Sequence, residues 1–436
     1  MDLATSGFVR PSGAKENNST QPECGKDQAP AANAFKDQHL YDALVNSFSM
    51  RSFVPFAGTS AHDHFFDTFA RFGGLDDRVH MGEWLDEVAT RAANQNEQYL
   101  ELMVTGDFSR TARVAYQLGW NDNLEKFRAD LLARGLREDI AVYSSLLDTG
   151  EKIRREREHC GQPDESAACK VELRFIYQVL RGFPKEQVFA QTVLGFEVAS
   201  ADPRVVGINF VMPEDGYTSM HDYELHMKMV GFLHDLYPKV HISLHAGELA
   251  PGLVTPDGLR CHVRLAVEVA HAERIGHGVD LMYEDRPKEL LKELAAKHVM
   301  VETNLTSNDV ILGIRGDEHP FPVERQFGVP VALSTDDEGV SRIDLTHEYV
   351  RATDTYNLSY PELKKIVRTS LEHSFLPGPS VWREQDVFTR SAVECANDTL
   401  GAEKPSSACA EFLKSSERAT QQWELEHRFR IFESTF

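Results

Sequence analysis

The chain is 436 residues long, 42% apolar and 26% charged, with 46 basic against 68 acidic side chains and a net charge of −22. This composition is that of a folded globular protein and excludes a disordered or fibrous one. The negative field repels phosphate backbones and anionic lipid, which excludes nucleic acid and membrane as general partners. No apolar run approaches the roughly 20 residues of a membrane helix.

Residues 1–36 are rich in Asn, Gln, Ser, Pro, Ala and Lys and read as a loose arm, with residues 37–436 as the folded unit. The opening stretch MDLATSGFVRPSGAKENN has no apolar core of a secretory signal, so the chain as given reads as cytoplasmic, or as periplasmic or secreted if the true N-terminus lies upstream. From His39 the pattern turns helical, with Leu40, Leu44, Val45 and Phe48 on one face. FFDTFARF, with Phe65, Phe66, Phe69 and Phe72 at helical spacing, predicts a helix, and GEWLDEVATRAANQNEQYLELMV predicts another that runs into an apolar stretch.

Seven strands are then predicted, at 98–104, 171–179, 205–212, 240–246, 273–279, 298–305 and 329–336, separated by helical stretches such as YELHMKMVGFLHDLY and KELLKELAAK. Strands and helices alternating in this way form a parallel sheet with crossover helices. After residue 340 strands are expected to stop. LTHEYVRAT, YPELKKIVRTSLEHSFL and the tail from Ala408 read as helices packed outside the sheet. Cys24, Cys261, Cys395 and Cys409 are scattered, with no C-x-x-C pair. Cys160 and Cys169 flank the turn-prone GQPDESAA, where a local disulfide and two free thiols are both compatible with the sequence.

In parallel α/β folds function sits at the C-terminal ends of the strands. Three predicted strands end in titratable residues: His245, followed by Gly247 and Glu248; His277, between two glycines; and Asp336, followed by Asp337. Singly, each is more often a core or turn residue. Together they aim imidazoles and carboxylates at one mouth, a donor set suited to zinc.

SLHAGE at 243–248, RIGHGVDL at 274–281 and LSTDDEGV at 333–340 resemble three motifs of the adenosine deaminase family, in order and in spacing, and SLEHSFL at 370–376 is similar to its late helix. The resemblance spans about residues 40 to 380. LYDALVNSFSMRSFVP and HDHFFDTFARFGG are similar to the bacterial branch related to secreted adenosine deaminase growth factors. The resemblance implies a (β/α)8 barrel that binds one Zn2+ and hydrolytically deaminates a small-molecule purine nucleoside, adenosine to inosine and ammonia. It implies His245 and Asp336 as zinc ligands and Glu248 as the acid that protonates the purine ring. His277 is the group that orients and deprotonates the attacking water, and Asp337 and Gly247 contact the purine. H-x-x-E without P-C-x-x-C sets the chain apart from the cytidine-type zinc deaminases.

The family takes two further ligands from an H-x-H that ends its first strand. The one H-x-H here, His62–Asp63–His64, follows FAGTSA, which is no buried strand, and precedes a helix. His62 and His64 are therefore read as a pocket-wall or lid segment, the alternative being that they are those ligands. Seven strands instead of the eight of a closed barrel fit a chain that lacks its first strand and carries extra C-terminal helices. Met212–Pro213 stands where relatives often carry Gly. Two other readings stay open: another barrel amidohydrolase, and a catalytically impaired homologue that binds a nucleoside or a partner. A homo-oligomer is compatible with either.

Overall fold

A computed structural model describes residues 33–73 and 78–436, so most of the arm expected over 1–36 lies outside the described residues. Among the described residues seven strands form one sheet: β1 (Tyr99–Val104), β2 (Glu172–Leu180), β3 (Val205–Val211), β4 (His241–Ala246), β5 (Arg274–His277), β6 (Met300–Thr303) and β7 (Val331–Leu333). They are neighbours in chain order and every pairing is parallel. Helices such as Lys185–Ala201, Tyr223–Leu236 and Pro287–Ala296 link consecutive strands and cover the sheet. The apolar runs of β2 and β3 follow from this cover, because a parallel strand sandwiched on both faces has no solvent side to keep polar. Phe175, Tyr177, Val179, Ile208 and Phe210 are fully buried. The predicted strand 298–305 is cut short at Thr303, and Leu305 opens the helix Leu305–Leu312.

The sheet is curled. Arg274 on β5 forms an ion pair with Glu101 on β1 at 2.6 Å, although three strands lie between them, and a second with Glu302 on the adjacent β6 at 2.7 Å. Its Nη1 also donates to the His373 carbonyl, and the guanidinium lies 3.8 Å over the Phe375 ring. Only a sheet bent round its own interior brings β1 and β5 together. Among the described residues β1 pairs with β2 alone and β7 with β6 alone, so the curl stays open. A cleft of 1660 Å³ separates the two edges, lined by Tyr99–Met103 and Ala332–Asp337. Val88 and Ala92 of the helix Met81–Asn94 and Leu425 and Phe429 of the helix Glu417–Glu433 flank it.

Two expectations for the C-terminal part are corrected. Strands do not stop at 340: β8 (Trp382–Glu384) and β9 (Val387–Ser391) form an antiparallel hairpin. Its turn contains no glycine; Asp386 takes the left-handed backbone instead, at φ 59°, which Asp tolerates better than most residues. Asp386 also accepts hydrogen bonds from His373 and His298 at 2.7 Å each, tying the hairpin to the sheet. Nor are Cys395 and Cys409 unrelated. They form a disulfide inside a second core with Val381, Trp382, Ala419 and Trp423. Cys160 and Cys169 are bonded as well. The helix Ala61–Phe72 forms where FFDTFARF predicts it, with Ser60 and Asp63 in a reciprocal capping box.

Because Arg274 is buried, Arg274→Ala leaves two partly buried carboxylates without their cation. It is expected to cost about 3–5 kcal/mol, read as a lowered midpoint in urea unfolding. A loss under about 1 kcal/mol would show that the curl does not depend on this contact.

Candidate active site

The mouth is built on the turn that follows β4. Arg181, the residue after β2, is 1% exposed; it donates from Nε to the Met212 carbonyl after β3 and from Nη1 to the His245 carbonyl in β4, both at 3.1 Å. Its Nη2 faces the Glu214 carboxylate at 3.9 Å. Glu214 in turn accepts the backbone N–H groups of Gly247 at 3.0 Å and Glu248 at 2.9 Å, and the Nδ1–H of His262 at 2.5 Å. Burial alone would raise this carboxyl, but Arg181, His262 and the backbone donors outweigh it and hold it at about 2. An ionised Glu214 thus fixes the Gly247–Glu248 backbone from below.

Gly247 has φ 78°, and a Cβ there would stand 2.4 Å from Asp280 Oδ1 and 2.9 Å from Val263 Cγ2. Both the left-handed backbone and the space require glycine. Glu248 then turns into the mouth, 6% exposed. Burial, with the nearby Asp336 and Glu214 charges, pushes its carboxyl well above the usual range.

His245 ends β4. Its ring Nδ1 lies 2.7 Å from Asn209 Oδ1, which also accepts its backbone N–H. Asn209 Oδ1 can only accept, so Nδ1 carries the proton and Nε2 is left bare. Burial and the neighbouring His277 keep the ring neutral. His277 ends β5 with φ 76°, fully enclosed; burial lowers its pKa against the pull of Asp336. Asp336 follows β7 with φ 54° and accepts a 2.5 Å hydrogen bond from Ser307 Oγ. Asp337 beside it is raised well above the ordinary range by burial and by the Asp336 charge. Two of these functional candidates therefore hold backbone conformations that non-glycine residues rarely take, a cost that the surrounding packing must offset. Met212, at φ 85°, is a third such residue at a strand end.

Donor atoms of His245, His277 and Asp336 all lie within 4.8 Å of one another. His62 and His64 do not join them. His62 Nε2 meets Asp215 Oδ1, in the loop after β3, at 3.1 Å. His64 is buried, with Nε2 3.1 Å from the Ser49 carbonyl and its ring stacked on Phe53 at 4.2 Å. Phe65 of the same helix packs on Ile311 and Val340, next to the helix that carries Ser307 and the turn that carries Asp337. Sequence reasoning missed Arg181, Asn209, Glu214, Ser307 and Asn308. Two of them carry a legible signal: Asn209 is a polar residue inside a strand buried on both faces, and Glu214 follows a strand end.

Residues 141–383 match the adenosine deaminase family. Over 135 residues the chain is 36% identical to the adenosine deaminase of Clostridium perfringens, covering 31% of this chain and 37% of that one. Over 137 residues it is 34% identical to that of Escherichia coli, covering 31% and 38%. The aligned region thus spans a little over a third of the length of these curated relatives. Arabidopsis ADAL complexed with GMP is similar at a TM-score of 0.53 and 19% identity, over 79% of this chain and 86% of that one. The Arabidopsis N6-mAMP deaminase is similar at 0.52 and 21%, over 78% and 89%. At these identities the two structures bear on the fold alone.

Gly247→Ala is expected to destabilise the chain by on the order of 2–5 kcal/mol, combining left-handed strain with overpacking against Asp280. Thermal and urea unfolding measure it, and an unchanged midpoint would contradict the close packing described.

Proposed function

We propose that this chain, which belongs to the adenosine deaminase family, hydrolytically deaminates a purine nucleoside, taking adenosine and water to inosine and ammonia. The observation that carries the reading is the meeting, at one mouth, of a buried Glu248, its carboxyl pushed up by its surroundings, with His245, His277 and Asp336. The neutral His245 ring with a bare Nε2 and the Asp336 carboxylate fit a zinc ion. Zinc, when bound there, supplies the Lewis acidity that makes water a nucleophile near neutral pH.

The chain's own residues do the rest. Glu248 gives its proton to the ring nitrogen beside the amino-bearing carbon, so that water can add there and ammonia can leave as the C–N bond breaks. An aromatic amine leaves poorly from an unprotonated ring, which is why the raised pKa of Glu248 matters. His277 orients the attacking oxygen. Asp337 contacts the far edge of the purine, and the Gly247 backbone borders the ring. The cleft beside β7 reaches Asp336 and Asp337 and offers a route in. Some structural relatives are described with nucleotides, GMP and IMP among them. The net charge of −22 favours an uncharged nucleoside over a phosphorylated one. The two disulfides suit an oxidising compartment.

A second reading, a nucleoside-binding protein without turnover, is favoured by one observation: among the described residues no further imidazole pair joins the donor cluster. Ammonia release from adenosine, AMP and N6-methyl-AMP with zinc supplied, alongside calorimetric binding of unsubstituted purine riboside, separates the two. The deaminase reading expects turnover, greatest with adenosine. Binding without ammonia would establish the silent protein instead. Glu248→Gln is expected to keep the fold and the riboside affinity and to lose about 10²–10⁴-fold in kcat; a wild-type rate would remove Glu248 from its role.

A further inference from the structure

Behind His277 runs a chain of hydrogen bonds whose direction is fixed at its far end. The Phe321 backbone N–H, which can only donate, points at His319 Nδ1 at 3.1 Å. His319 is buried and neutral, its pKa pushed down to about 3. With Nδ1 occupied as an acceptor, its one ring proton is on Nε2, which faces Asn308 Oδ1 at 2.9 Å. That bond sets the Asn308 amide the same way round. Its Nδ2 lies 2.8 Å from His277 Nδ1 and must donate to it. Asn304 Nδ2, at 3.4 Å, faces the same ring nitrogen. His277, Asn308 and His319 are each 2% exposed or less, so no bulk water competes for these groups.

A His277 ring that accepts at Nδ1 carries its proton on Nε2, the nitrogen facing Asp336 Oδ2 at 3.9 Å. Glu248 Oε1, 3.6 Å from Nδ1, lies beyond hydrogen-bond reach and makes no opposing demand. We infer that His319 and Asn308 are positioning residues that hold His277 in its Nε2–H tautomer, so that it enters the mouth as a hydrogen-bond donor. The family resemblance gives His277 the part of a base that deprotonates water; the relay makes it the group that grips the attacking oxygen by donation. It also takes Nε2 out of the metal-donor set, leaving His245 and Asp336. The tautomer rests on the hydrogen bonds alone; the part it plays toward the attacking oxygen rests on the deaminase reading.

The test is nitrogen NMR of the full chain with 15N-labelled histidine, the His277 signals being assigned by their loss in His277→Gln. The relay predicts a pyrrole-type Nε2 and a pyridine-type Nδ1 for His277 in the wild type. Asn308→Asp, whose carboxylate can only accept, is expected to invert the pattern. His319→Gln, which can both accept from Phe321 and donate to Asn308, is expected to preserve it. A wild-type ring protonated at Nδ1, or a pattern unmoved in a folded Asn308→Asp, overturns the relay. The wild-type spectrum decides alone if that variant does not fold. Turnover is a separate readout: Asn308→Asp is expected to lose about 10²-fold in kcat. Inverted nitrogens with an unchanged rate would overturn the donor role while the relay stood.

Discussion

Beneath the mouth one buried ion pair holds three strand ends in place. Arg181, entering after β2, grips the carbonyls of Met212 and His245, and Glu214, entering after β3, grips the amides of Gly247 and Glu248. Each charge is fully enclosed, so neither is stable without the other: a lone buried charge costs several kcal/mol, whereas a paired one with its remaining valences satisfied does not. The direction of His245, the turn at Gly247 and the inward path of Glu248 all follow from that pair. The curl set by Arg274, Glu101 and Glu302 does the same work at the other end of the strands, bringing β5 and β6 round to face β1.

This support explains how the site contains groups in opposite charge states within a few ångströms. Glu214 stays ionised because it meets a guanidinium, an imidazole and two amides. Glu248 is pushed up by burial and by the Asp336 and Glu214 charges. Two glutamates near one turn are thereby assigned separate tasks, one structural and one chemical. The histidines divide in a comparable way. Asn209 puts the proton of His245 on Nδ1 and bares Nε2; Asn308 puts that of His277 on Nε2. Each asparagine presents a different end of its amide, and that difference separates a metal donor from a hydrogen-bond donor.

Much of this was legible in the sequence. Parallel strands covered on both faces are continuous apolar runs, so β2, β3 and β4 stand out, and His245, His277 and Asp336 are visible because they close such runs. The hairpin β8–β9 was hidden by its short strands and by a turn that uses Asp386 where glycine is the usual signal. The Cys395–Cys409 bond depends on how the helix Ser407–Lys414 folds back on the second core, which no spacing rule encodes. The partners of the site residues were hidden for a related reason. Asn308 lies in a short helix and His319 in a loop, both of unremarkable composition, and only the curl of the sheet brings them beside the residue they orient. His62 and His64 show the converse, a ligand-like spacing whose imidazoles are engaged by Asp215 and by Ser49.

The central claim is that His245 and Asp336 offer metal donors at the mouth while the Nε2 of His277, which faces the same mouth, is occupied by its proton. Zinc titration by calorimetry, on the metal-stripped 436-residue chain and on His245→Ala, tests it most directly. The account predicts one weak site in the wild type, whose zinc is lost on dialysis, and no site in the variant. Stoichiometric zinc that survives dialysis, or binding unchanged in His245→Ala, would contradict it.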